Sequence, residues 1–179
     1  MVTVIVFGAL LALSRTSPVK ATEKEAESAA VLVAHTPTAD PRVEKLQNYL
    51  ASRNSPLAGE TTNFIHEADH WGIDWKLVAA IAGVESTFGK HIPTSSYNAW
   101  GWGVYTGATD GIHFENWHDG ISKVSAGLKS NYIDRGAVTV EQIGRIYAAS
   151  PNWSWKVRFF LEQIDAYQPT NTRQIDITI

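Results

Sequence analysis

The feature that most constrains the fold is a run of residues that would be apolar on nearly every side of a helix. From Trp75 to Val84 the chain reads WKLVAAIAGV. A helix that is apolar all round is buried all round. Asp74 precedes the run as a candidate N-cap, and Glu85 follows it as a carboxylate in the last turn. We therefore predict a central buried helix that begins after Asp74 and ends at Glu85.

Other segments show helical periodicity and are bounded by helix start and stop signals. Asp40-Pro41 is a good helix start, and Gly72 is a good helix stop. The segment 89–115 is rich in Gly, Ser, Thr and aromatic residues, which favours a loop or short hairpin. The remaining predicted helices cover about 59–71, 116–133, 140–149 and 153–167. The predicted fold class is mainly α, a helical bundle around the central helix with one short irregular or hairpin insertion.

Composition excludes several classes of protein. The 179 residues suffice for one domain with signals and linkers. Lys+Arg is 15 and Asp+Glu is 18, so the net charge is 15 − 18 = −3, which disfavours nucleic-acid binding. The absence of cysteine excludes disulfides, thiol catalysis and Cys-ligated zinc. We expect a monomer that needs no cofactor and holds no metal.

The N-terminus carries an apolar run from Val2 to Leu13. This run is too short to span a bilayer, which takes about 20 residues, and it is typical of a signal peptide. Val19 and Ala21 supply small residues for cleavage, but no Lys or Arg precedes the run, which leaves a short membrane anchor or a buried N-terminal helix as alternatives. The predicted organisation is a signal peptide or short anchor (1–21), a linker (22–39), a catalytic domain (40–168) and a C-terminal tail (169–179). We expect an exported protein, whether extracellular, in the cell wall, periplasmic or membrane-anchored.

Glu85 is the candidate catalytic acid. Ala82, Ile81 and Val78 lie three, four and seven positions before it, on its own face of the helix. Apolar neighbours of this kind desolvate a carboxyl group and raise its pKa, and protonation of a leaving oxygen near neutral pH needs such an acid. A Glu whose head simply reaches solvent would fit the same position, so burial alone leaves both interpretations open.

Three segments resemble the lysozyme superfamily of wall hydrolases, and the resemblance runs from about Thr61 to Ile164. GIDWKLVAAIAGVESTFGK resembles the stretch with the catalytic Glu-Ser pair in soluble lytic transglycosylases and bacterial glucosaminidases. Two further segments, NAWGWGVYTG (98–107) and YAASPNWSWKV (147–157), resemble glucosaminidase segments, the second including a Tyr that lines the cleft. Ala99-Trp100-Gly101-Trp102 stands where soluble transglycosylases carry Gly-Leu-Met-Gln. This departure favours the glucosaminidase branch and leaves the bond that is cut undecided.

The resemblance implies a lysozyme-like domain that cleaves a β-1,4-linked amino-sugar polymer, most simply peptidoglycan. Glu85 would protonate the leaving glycosidic oxygen, and Tyr147 would lie beside it as a second catalytic residue. A lytic transglycosylase is an alternative activity. The residues expected to bind the glycan are Ser86, Tyr97, Asn98, Trp100, Trp102, Tyr105 and Trp153.

Four aromatic residues of the insertion alternate with glycines, namely Tyr97, Trp100, Trp102 and Tyr105. Their rings could stack on sugars or fill the core. We expect some of them in the core and Trp102 or Tyr105 on the ligand.

Many glycosidases use two carboxylates. Asp110, Glu115 and Asp119 are the candidates for the second, although each also fits a solvated charge. A single-acid mechanism therefore stays open.

Two other classes of protein are alternatives to a glycan-cleaving enzyme. His66 to His70 reads HEADH, the H-E-x-x-H pattern of zinc metalloproteases. On a helical projection both His lie on the polar face, and the chain has Ile73 and Lys76 where the metzincin extension would have Gly and His. A zinc site needs a third protein ligand as well. The other competitor is a non-catalytic wall-binding module, which would not need a desolvated acid at Glu85.

Overall fold

A computed structural model describes residues 40–104 and 111–168. Their secondary structure is mainly helical and contains no strand, which confirms the predicted fold class. The described residues form six α-helices: α1 (Pro41–Ser52), α2 (Thr61–Trp71), α3 (Leu77–Ser86), α4 (Trp117–Asn131), α5 (Val140–Tyr147) and α6 (Trp153–Ala166). Two 3₁₀ turns, Pro56–Glu60 and Ile133–Arg135, precede α2 and follow α4. All six helices belong to one compact unit.

The helix boundaries follow local chemistry. The Asp40 side chain accepts a hydrogen bond from the Arg42 N–H at the start of α1. Gly72 has φ 62°, a left-handed conformation that suits glycine, and it ends α2 as predicted. The predicted helix over 140–149 ends earlier, at Tyr147, because Ala148 is extended.

The central helix α3 is buried as the sequence predicts. Residues 77–83 are all buried, and α3 packs mainly against α6. Asp74 accepts a hydrogen bond from the Lys76 N–H at 2.9 Å, but the regular helix begins only at Leu77. Asp74 therefore caps a turn that leads into α3, and Glu85 is the penultimate residue of the helix.

The segment between α3 and α4 is irregular wherever it is described. It contains turns and no strand over 87–104 and 111–116. Tyr105 and Asp110 lie outside the described residues, as do the predicted signal or anchor (1–21), the linker over 22–39 and the tail over 169–179. None of the described helices combines the length and hydrophobicity that a membrane span requires.

Candidate active site

The Glu85 carboxyl lies where α3, α6 and the irregular segment meet. Its Oε1 accepts a hydrogen bond of 2.6 Å from the Trp153 indole N–H of α6. Its Oε2 faces Gly101, where a Cβ atom would lie only 3.3 Å away. Glu85 as a whole remains exposed. The carboxyl is therefore crowded on one side and open to solvent on the other.

Burial raises the pKa of Glu85 above that of an ordinary glutamate. The Trp153 hydrogen bond and the positive charge of Lys156 act in the opposite direction without cancelling the shift. The groups beside the carboxyl are an indole and the backbone at Gly101, whereas the predicted apolar neighbours Val78, Ile81 and Ala82 are buried core residues. The pKa of Glu85 shifts in the direction expected from the sequence. The groups that surround its carboxyl, however, come from distant parts of the chain and not from the same face of α3.

Trp153, predicted to bind the glycan, lies as a buried hydrogen-bond donor beside Glu85. It is 3% exposed, so the structure gives its ring little surface for a ligand. Its ring stacks on Tyr147, with centroids 4.8 Å apart and an interplanar angle of 24°. A buried donor whose ring is held by stacking fixes the orientation of the carboxyl that it binds.

Tyr147 lies in the same cluster but does not bind the carboxyl directly. Its hydroxyl donates a hydrogen bond of 2.6 Å to the Trp100 carbonyl. Burial raises the pKa of Tyr147 well above its usual value, and the charges of Glu85 and Tyr132 add to that effect. The hydroxyl therefore stays protonated, and it anchors the segment beside Glu85.

A groove of about 340 Å³ begins next to this cluster. It is lined by residues 101–104, by Ile112 and by Asn131, Tyr132, Ile146 and Tyr147 of the region around α4 and α5. Glu85 does not line the groove. Gly101 does, and Gly101 faces Glu85 Oε2. The carboxyl therefore lies next to the wall of the groove.

Trp102, predicted to bind the glycan, lines the groove. Its half-buried ring lies 5.8 Å from the Tyr147 ring and 6.1 Å from the Tyr132 ring, centroid to centroid. Gly127 of α4 gives the ring its space, because a side chain at that position would collide with it. Together these rings give the groove an aromatic wall.

Ser86 and Trp100, both predicted to contact the glycan, are buried and hydrogen-bonded within the protein. The Ser86 hydroxyl donates to the Ala99 carbonyl at 2.7 Å and accepts from the Gly89 N–H at 2.8 Å. The Trp100 ring is fully buried and donates to the Val78 carbonyl at 2.9 Å. Neither side chain has surface to offer a polymer, and both attach the irregular segment to α3.

Asn98, also predicted to bind the glycan, is buried and organises the segment through its amide group. Its amide nitrogen donates to the carbonyls of Trp102 and Ile112 at 2.8 and 2.9 Å. Its amide oxygen accepts from the Trp102 N–H at 2.9 Å. Tyr97 packs elsewhere, edge-on against the Trp117 ring at the start of α4, with centroids 5.2 Å apart.

The described candidates for a second carboxylate serve the start of α4. Asp119 accepts from Lys123 Nζ at 2.9 Å and from the Glu115 N–H at 3.1 Å. The Lys123 hydrogen bond is the main reason that the pKa of Asp119 is lowered. Within residues 40–104 and 111–168, Lys156 is the charged group that shifts the pKa of Glu85, and no carboxylate does.

The H-E-x-x-H segment forms part of α2. His66 and His70 are exposed on the polar face, as predicted, and their rings are parallel with centroids 6.4 Å apart. Glu67 is buried and accepts a hydrogen bond of 3.1 Å from the Trp71 indole. Over the described part of the chain, no group of three or more His, Asp or Glu side chains is arranged to hold a metal ion. The metalloprotease interpretation therefore lacks a third ligand here.

Sequence reasoning missed two residues next to Glu85. In the sequence Gly101 is one of several glycines that alternate with aromatic residues, and nothing marks it or Lys156 as a neighbour of Glu85. Lys156 lies three residues after Trp153, about one helical turn away, so it could have been found only once Trp153 was known to touch Glu85.

Comparison with protein families and curated proteins assigns no family to this chain. No protein-family model matches the chain, and no curated protein matches it. The function therefore has to be argued from the geometry around Glu85.

Proposed function

We propose that the protein cleaves glycan strands of peptidoglycan at a β-1,4 amino-sugar bond, with Glu85 as general acid. The observation that carries the proposal is a carboxyl with a raised pKa, held by a buried indole beside an aromatic groove. Since Oε1 already accepts the Trp153 hydrogen bond, the acidic proton belongs on Oε2. That oxygen faces Gly101, which lines the groove.

The reaction needs this proton first. Glu85 gives it to the glycosidic oxygen as the bond to the anomeric carbon breaks, and the leaving sugar departs with a hydroxyl group. The ionised Glu85 then accepts a proton from the nucleophile that attacks the oxocarbenium-like centre. If the nucleophile is water, the enzyme is a glycoside hydrolase, and it is an endo-β-N-acetylglucosaminidase when the anomeric carbon belongs to N-acetylglucosamine.

A lytic transglycosylase is the second candidate. The segment GIDWKLVAAIAGVESTFGK also resembles soluble lytic transglycosylases, in which a group of the substrate takes the place of a second carboxylate. If the substrate's own hydroxyl attacks, Glu85 removes its proton and the product carries an anhydro end.

We also propose that the helices form a lysozyme-like domain. The support is a buried central helix that presents an acid at its C-terminal end, together with the three resembling segments. Since peptidoglycan lies outside the cytoplasm, the proposal requires export, for which residues 1–21 are the predicted signal or anchor.

Digestion of purified peptidoglycan followed by mass spectrometry tests the proposal. Reducing N-acetylglucosamine ends would indicate a glucosaminidase, and anhydro ends a transglycosylase. Glu85→Gln should lower the rate at least about 100-fold, since general acid catalysis contributes about 10²–10⁴-fold. Glu44→Gln, a change at an exposed carboxylate of α1, should retain the wild-type rate.

Two outcomes would reject the proposal. Unchanged cleavage by Glu85→Gln would reject Glu85 as the general acid, and no glycan cleavage by the wild-type protein would favour a wall-binding module. Stoichiometric zinc in the purified protein, with activity lost in His66→Ala, would favour the metalloprotease.

A further inference from the structure

Two exposed histidines on α2 have no role in the proposed cleavage of glycan. His66 and His70 are one helical turn apart, and the side chain of His66 is 71% exposed. Their rings are parallel to within 5°, with centroids 6.4 Å apart. Side chains at positions i and i+4 are neighbours on a helix surface, so both imidazoles can reach one ion on the solvent side of α2.

The distance between the two rings suits a shared metal ion after a small movement. Zinc binds an imidazole nitrogen at about 2.0–2.1 Å, so two rings on one tetrahedral ion have centroids roughly 5 Å apart. The rings of His66 and His70 would therefore have to approach each other by about 1 Å. Rotation of the two side chains can supply this movement without a change in the core, because both are exposed.

Two neighbours on the same helix hold the rings from behind. Glu67 is buried, and its Oε1 lies 3.5 Å from Nδ1 of His66. Its Oε2 accepts a hydrogen bond of 3.1 Å from the indole of Trp71. The Trp71 ring packs edge-on against the His70 ring, with centroids 4.7 Å apart. The two imidazoles therefore belong to one connected group of four side chains.

The carboxylate of Glu67 also influences which nitrogen of His66 is free. A carboxylate beside Nδ1 favours the tautomer with its hydrogen on Nδ1, which leaves the lone pair of Nε2 for a metal ion. Histidines that bind metal ions in proteins almost always have a partner of this kind at the other ring nitrogen. The surroundings of His66 therefore favour a ligand at Nε2, on the solvent side of the ring.

The next acidic side chain of α2 is already engaged. Asp69 lies three residues after His66, and its two carboxylate oxygens accept hydrogen bonds from Arg42 at 2.8 and 2.7 Å. The two histidines are therefore the protein ligands that this face of α2 offers, and water has to complete the coordination sphere. An ion held in this way exchanges with solvent and differs from a catalytic zinc, which has three protein ligands.

We propose that His66 and His70 bind one divalent transition-metal ion, Cu²⁺, Ni²⁺ or Zn²⁺, on the exposed face of α2. The ligands are Nε2 of His66, one ring nitrogen of His70 and water. Imidazole suits these three ions and should bind Cu²⁺ most tightly, whereas Mg²⁺ prefers oxygen ligands. An ion that binds the folded helix also stabilises the folded protein. The inference does not depend on the activity proposed for Glu85.

Isothermal titration calorimetry measures the binding, with the full chain purified without a histidine tag. The wild-type protein should bind one Cu²⁺ or one Zn²⁺ per chain and no Mg²⁺. His66→Ala and His70→Ala should each weaken binding at least about tenfold, because a single nitrogen loses the gain from two linked ligands. The matched control is His91→Ala, which should bind normally, since His91 is exposed and has no histidine four positions away.

Two further variants test the neighbours and the fold. Glu67→Gln keeps an oxygen that can accept from Trp71 but removes the charge beside Nδ1, and it should bind Zn²⁺ about tenfold more weakly. Zn²⁺ should raise the Tm of the wild-type protein and of His91→Ala but not that of His66→Ala/His70→Ala. Without metal, this double variant should unfold at the wild-type Tm, because both side chains are exposed. It should also cleave glycan at the wild-type rate.

Several results would overturn the inference. They are equal metal affinity of the double variant and the wild-type protein, equal loss of binding in His91→Ala and His66→Ala, or one ion shared by two self-associated chains. An activity that needs the bound ion and disappears in His66→Ala would indicate the metalloprotease instead. Failure of the proposed function is distinguishable, because it appears as absent glycan cleavage by the wild-type protein and leaves the metal titrations as expected.

Discussion

Trp153→Phe isolates one interaction of the candidate acid. The substitution removes the indole N–H that donates to Glu85 Oε1 at 2.6 Å and keeps an aromatic ring to stack on Tyr147. The hydrogen bond favours the charged form of the carboxyl and so lowers its pKa, against the larger effect of burial. Without the bond, the pKa of Glu85 should rise further.

The size of the rise follows from the geometry. A hydrogen bond to a charged group contributes about 1.5–3 kcal/mol. Glu85 is exposed, so water replaces part of the lost bond, and we take the lower end, about 1.5 kcal/mol. Since one pKa unit corresponds to about 1.4 kcal/mol, the pKa should rise by about one unit.

The assay is the pH dependence of kcat/KM on soluble glycan fragments. A general acid works while protonated, so activity falls as pH rises through its pKa. The alkaline limb of Trp153→Phe should therefore lie about one pH unit above that of the wild-type protein. This holds even if the peak rate drops because a smaller ring loosens the site.

The chain provides a matched control. Trp71 donates to Glu67 at 3.1 Å in α2, so Trp71→Phe removes the same kind of bond from a carboxylate outside the site. Its alkaline limb should coincide with that of the wild-type protein. A limb for Trp153→Phe that stays in place or moves to lower pH would refute the assignment of Trp153 as the group that tunes Glu85.

Three further predictions concern stability and position. Glu85→Gln should raise Tm near pH 7, and the gain should vanish in acid. The folded-state pKa of Glu85 is raised, so the wild-type protein loses stability as pH climbs above the unfolded-state pKa. Calorimetry across pH measures this trend, and an equal or lower Tm of the variant near pH 7 would contradict it. Asn98→Ala should cost about 3 kcal/mol in urea unfolding, since buried backbone groups of Trp102 lose their partners. Gly101→Ala and Gly72→Ala should each lower the free energy of unfolding by about 1 kcal/mol, because both glycines have similar left-handed φ angles. Only Gly101→Ala should lower activity, by about tenfold or more, because its methyl group would lie 3.3 Å from Glu85 Oε2. Equal activities of the two variants would contradict the placement of Gly101 beside Oε2.

The parts of the fold that could be predicted are those that local chemistry decides. The apolar run over 75–84 has to be buried whatever packs on it, and α3 is. Asp40 and Gly72 act through bonds and dihedral angles within a few residues of themselves. The end of α5 was predicted too late because nothing local stops a helix at Tyr147, and its position depends on what the side chain contacts.

The candidate site also has a part that local chemistry predicts and a part that depends on tertiary contacts. Glu85 could be identified because a carboxylate directly after an apolar helix is unusual, but its surroundings could not. Gly101 and Trp153 approach it from 16 and 68 positions further along the chain, and no periodicity links them. The rings of Trp100 and Trp102 are equally aromatic in the sequence, and only packing decides that the first is core and the second lines the groove.

The segment after Glu85 explains how one carboxyl can be held between elements so distant in sequence. Positive φ angles concentrate there, including Thr87 at 54° and Phe88 at 60°, conformations that are costly for β-branched and bulky residues. Such strain persists only where surrounding contacts outweigh it. Here the Ser86 hydroxyl bonds two backbone groups of the segment, and Phe88 is buried against the core. The same contacts fix the path of the chain to Gly101. The contacts that hold the strained residues in place therefore also place Gly101 beside Glu85 Oε2. Loosening that path should cost stability as well as activity, because the buried rings of Phe88 and Trp100 contact α3 at Gly83 and Val78.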